Sequence, residues 1–208
     1  MKPTLKLPIT LRFPEENELP KNSSSLEKLF ESRNANIVAG FILKQKDENP
    51  KNKDLPFKFY AEINVDNPEL WSLVIALSET LPEVCALLFG HSDFEVIYGD
   101  YDNKIKILNF LKDYEIELTH DTLLNWGLIY HDEKILIEIF VNESKFLQYW
   151  GVNEEKFREI MENFGLNEIE NLEFIDEYPK VRENINLHFN NVLDTSELIE
   201  TLKKKYIK

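Results

Sequence analysis

Cysteine is almost missing from this chain. Cys85 is the only one among 208 residues, so no disulfide can form within the chain and no all-thiolate metal site can assemble. It lies in the apolar run VCALLF, which predicts a buried and unreactive thiol. The six glycines are too scattered for a phosphate-binding loop or a dinucleotide fingerprint, and there is no HExxH. His91, His120, His131 and His188 stand far apart, which predicts isolated surface histidines rather than a metal centre. No stretch approaches the ~20 apolar residues of a membrane span. The opening MKPTLKLPITLRFPEENELP lacks an apolar segment of signal-peptide length, so the expected location is the cytoplasm. Positive charge is in deficit, 24 basic side chains against 38 acidic, for a net −14. That balance repels phosphate backbones and argues against a nucleic-acid partner. It favours encounter with a basic protein.

What is present suits a folded domain. The chain is 43% hydrophobic and 30% charged, outside the composition of disordered chains. A chain of this length buries roughly 70% of its unfolded surface without help from metals or crosslinks. Its richness in Asn, Lys, Ile, Phe and Tyr is that expected of an AT-rich bacterial genome. The expected organisation is one α+β domain over 1–208, with any seam near 46–56 or 165–171.

Leu5, Leu7, Ile9, Leu11 and Phe13 alternate with polar residues or Pro8 and predict a half-buried strand that is either an edge strand or bulged. Ser24 with Glu27 opens a short helix. NIVAGFILKQ and FKFYAEINV read as strands joined by the polar loop KDENPKNKDLP. ELWSLVIALSETL is an apolar, buried helix ended by Pro82. EVCALLF and FEVIY read as strands, and DNKIKILNFLKDYE as a helix. DTLLNW reads as one helical turn. LIYHDEKILIEIFV reads as a hairpin in which Ile135, Ile137, Ile139 and Val141 face one way and Leu136, Glu138 and Phe140 the other. SKFLQYW reads as a short helix or turn stopped by Gly151. Asn153 caps a helix whose Phe157, Ile160, Met161 and Phe164 form one apolar stripe. LEFID is a candidate last strand, and TSELIETLKKKY a terminal helix. Mixed elements without regular βαβ alternation predict an α+β fold with a mainly antiparallel sheet packed against several helices.

One pattern suggests catalysis. Asp93, Asp102 and Lys104 have the residue types of metal-dependent nucleases, in which carboxylates hold the cation and a lysine steadies the attacking water. Glu143-Ser144-Lys145 is a second, shorter version. Such spacings arise freely in a chain this rich in Asp, Glu and Lys, so this hydrolase is the alternative reading. The sequence designates no catalytic residue, metal ligand or cofactor site.

The first reading is binding. Residues 151–178 hold nine acidic side chains against Lys156 and Arg158, a net −7 and half of the total imbalance. The stretch HDEKILIEIFVNESKFLQYWGVNEEKFREIMENFGL, with its strand, hairpin and helix order, resembles bacterial immunity proteins of polymorphic-toxin and contact-dependent inhibition systems. The resemblance covers about a fifth of the chain and carries no residue-level motif. It implies a stoichiometric blocker of a basic toxin domain, often a nuclease. On this reading Tyr149, Trp150, Glu154, Glu155, Glu159 and Glu162 form the contact, aromatic anchors within a charged rim.

Overall fold

The apolar alternation of the middle of the chain produces one large sheet. In a computed structural model, which describes residues 5–21, 23–47 and 54–208, seven strands form it. They are β2 (Gly40–Gln45), β3 (Phe59–Asn64), β4 (Val84–His91), β5 (Ile97–Asn103), β6 (Leu124–His131), β7 (Leu136–Val141) and β8 (Leu147–Gly151). Their order across the sheet is β2-β3-β8-β7-β6-β4-β5, and every neighbouring pair is antiparallel. The fold is therefore α+β. Most of the predicted polar loop after β2, and most of the seam placed near 46–56, fall at 48–53, outside the described residues.

Helices bury one face of this sheet. These are α2 (Leu70–Ser78), α3 (Lys104–Leu111), α4 (Glu115–His120), α5 (Glu154–Asn163) and α6 (Thr195–Tyr206). A further helix, α1 (Ser24–Ser32), starts at a Ser23 cap that accepts from the Leu26 N–H. Phe59, Ala61 and Ile63 from β3, Leu87 and Phe89 from β4, and Trp126 and Leu128 from β6 meet Leu73, Leu77, Ile107, Phe157 and Leu202 from the helices, all fully buried. The apolar stripe read in the sequence for α5 packs as expected. Phe157 stacks on Tyr149 at 5.1 Å and meets the edge of Phe41 at 5.4 Å. Asn153 caps α5 through Lys156 N–H, and Asp194 closes a capping box with Glu197 at the start of α6.

Four segments differ from their sequence reading. Of Leu5–Phe13 only β1 (Leu11–Arg12) pairs, with β9 (Val181–Arg182). The Pro8 carbonyl instead accepts from Leu11 N–H, closing a turn just before the strand. DTLLNW is no helical turn: Leu124 to Trp126 open β6, because β4 offers a full ladder opposite them. SKFLQYW is a tight turn and then strand β8, with Lys145 at φ 62 making the reversal. LEFID makes no ladder; Leu172 and Phe174 are buried against Phe146, and Ile175–Glu177 form a 3₁₀ turn. Apolar alternation there reflects packing by a loop.

Candidate functional site

Alternation sends half of every strand to the face opposite the helices. There Ala86 and Leu88 of β4, Ile129 of β6 and Leu136 of β7 make a second apolar cluster, joined by Leu55 and Phe57. Neither this cluster nor the one around Phe146 contains an α-helical residue. The register aligns one row across the whole sheet: Lys44, Tyr60, Trp150, Glu138, Ile129, Ala86 and Tyr101. The next row is Ile42, Glu62, Gln148, Phe140, Gly127, Leu88 and Tyr98. Tyr98 and Tyr101 are three residues apart yet share this face. Their partners Leu88 and Ala86 are two apart, so a bulge in β5 restores the phase.

The result is an aromatic floor with a carboxyl in its centre. Tyr60 and Trp150 pack at 4.7 Å, and the Tyr60 hydroxyl accepts from Gln148 Nε2 at 2.9 Å. Burial and the neighbouring Glu62 push the Tyr60 phenol far above its usual range. Glu138 sits on β7, the middle strand, with Trp150 on one side and Ile129 on the other. Among the described residues its carboxyl has neither a hydrogen bond nor an ion pair. Burial alone pushes its pKa up to about 7. Carboxyls shifted toward neutrality cluster at functional sites, which makes Glu138 a candidate. Beside this row Lys44, Gln45, Lys46, Asp47, Phe57, Tyr60 and Trp150 line a cleft of about 290 Å³. Lys46 there donates to the Leu55 carbonyl and lies 5.3 Å above the Phe57 ring.

No family model, curated protein or solved structure matches the chain.

The structure divides the contact residues expected from sequence. Tyr149 is core: it is 1% exposed, its ring stacks on Phe157, and its hydroxyl donates to Thr80 Oγ1 at 2.9 Å. It anchors no partner. Trp150, one residue on, points the other way and is half-buried on the open face. Successive residues of a strand point to opposite faces. The α5 acids stand on the helix side of the sheet. Glu154 is held by Gln45 at 2.7 Å and Arg158 at 2.8 Å, and Glu159 by Lys156 at 3.3 Å. Glu155 and Glu162 are exposed and unpaired among the described residues. So the single predicted patch is two surfaces. Sequence reading missed Glu138 as a site residue, although its place between Leu136 and Phe140 on one strand face was visible.

The hydrolase constellation does not assemble. Asp93 lies in the β4–β5 turn beside His91 and Arg182, whereas Asp102 faces Cys85 at the other end of that hairpin. Lys104 Nζ donates to the carbonyls of Ser78 at 2.8 Å and Leu81 at 2.7 Å, tying down the chain that leaves α2. Glu143 is 4.0 Å from Lys180, and Lys145 turns inward to the Leu124 carbonyl at 2.7 Å. Burial pulls the Lys145 pKa down to about 8. Among the described residues no three His, Cys, Asp or Glu side chains are grouped to hold a metal ion. No described helix is long and apolar enough to cross a membrane. Of the histidines, His131 is exposed and His188 bonds Glu183 at 2.7 Å. His120 departs from expectation: half-buried, it packs at a tilt against Phe189 at 5.0 Å, and its Nδ1 is without a hydrogen-bond partner among the described residues.

Proposed function

We propose that the protein works by stoichiometric capture of a basic protein, in the manner of an immunity protein that neutralises a toxin domain. It acts in the cytoplasm and needs no cofactor. The observation that carries this reading is the open sheet face: aromatic rings left uncovered by helices, around a carboxyl that has no paired cation among the described residues. Acids elsewhere on the surface that are unpaired among the described residues, Glu155 and Glu162 on α5 and Glu170 after it, supply a field that draws a basic partner in. The cationic side chains of the 151–178 segment are already engaged, Lys156 with Glu159 and Arg158 with Glu154 and Glu168, so the surplus is negative.

The test is kinetic. A partner captured from the source cells should form a one-to-one complex whose association rate falls steeply with added salt. The triple variant Glu155→Lys, Glu162→Lys, Glu170→Lys should slow association about tenfold or more at low salt, with dissociation little changed. An association rate indifferent both to salt and to these reversals would refute electrostatic capture.

A further inference from the structure

We propose that Glu138 and the rings around it form a receptor for one cationic side chain, a lysine or an arginine, of the basic partner. This rests on the reading above and names its point of contact. Three observations on the open face converge on it. Glu138 occupies the central strand, between Trp150 and Ile129 in the register, and its carboxyl has no partner among the described residues. Of the cations on this face, Lys46 is tied to the Leu55 carbonyl, and Lys44 stands three strands away at the far end of the row. The neighbouring wall is aromatic, with Trp150 beside Glu138 in the register and packed on Tyr60.

Only a cation satisfies all three at once. Ring faces carry negative quadrupole potential, so Trp150 and Tyr60 attract a cation and repel an anion. A neutral apolar group would fill the space and leave the carboxyl buried without a bond, which disfavours it. A bare divalent ion fits poorly, because it requires several oxygen ligands and, among the described residues, no three His, Cys, Asp or Glu side chains are grouped to supply them. A lysine or arginine brings the charge, the donors and an apolar stem that lies along the rings. Glu138 is then held in reserve within the free protein and paired only in the complex.

The test uses the full chain, ¹⁵N-labelled, titrated with N-acetyl-arginine amide against sodium chloride at matched ionic strength. The reporter is the indole N–H of Trp150, assigned by its loss in Trp150→Phe. The other two tryptophans are buried, and the Trp126 N–H is bonded to the Leu118 carbonyl, so neither interferes. The expected result is a saturable shift that N-acetyl-norvaline amide does not cause and that is about tenfold weaker in Glu138→Gln. No saturable shift, or an equal one in Glu138→Gln, overturns the receptor. A partner complex that forms with full salt dependence and is unchanged by Glu138→Gln would overturn the receptor too, while leaving capture of a basic partner intact.

Discussion

Replacing Glu138 by glutamine should make the protein more stable, and only above a definite pH. The side chain keeps its shape and loses its charge. In the folded chain the carboxyl titrates near 7, against an ordinary 4.5. Between those values the native state holds a proton that the unfolded chain releases. Stability therefore falls as pH rises through that window and is flat beyond it. The gap of about 2.5 corresponds to about 3 kcal/mol at 1.36 kcal/mol per pH unit. Glutamine suffers none of this loss. Urea unfolding of the two proteins should give similar stabilities at pH 4.5. At pH 8 the variant should lead by about 3 kcal/mol. All other titrating groups are common to both proteins and cancel in the difference. A difference that stays flat from pH 4.5 to 8, or a variant less stable at pH 8, would refute the claim that the carboxyl is desolvated and unpaired.

Two further outcomes test the buried face. Phe157→Ala removes a ring packed against Phe41, Phe59 and Tyr149, and should cost about 3–5 kcal/mol in urea unfolding while leaving Trp150 on the open face. A loss below about 1 kcal/mol would show that this aromatic cluster is not a centre of the core. Cys85 is buried with its thiol pushed up to about 11, so a thiol reagent at pH 8 should label the native protein only as fast as the protein opens. Immediate stoichiometric labelling would contradict that placement.

The periodic elements were legible because burial imposes the period. The apolar stripe of α5 and the hairpin alternation of β7 carry over to the structure with their faces as read. SKFLQYW was misread because so short a run, stopped by Gly151, does not by its periodicity separate a strand from a helix. Only pairing with β3 and β7 decides the matter, and that information lies in residues 59–64 and 136–141. DTLLNW failed for the same reason. The site was half legible. Acidity and aromatic content announce a binding surface, but which acid lacks a partner depends on where each strand neighbour sends its side chains. Glu138 is one of many acids in sequence, and becomes distinct only when Trp150 and Ile129 are set on either side of it.

Tyr149 and Trp150 are joined by one peptide bond yet answer to different masters. Any change at the first disturbs the packing on which folding depends. The second can be exchanged, with Tyr60, Phe140 and Tyr98, without touching a helix. That exposed palette can be rewritten residue by residue with the same scaffold kept beneath it.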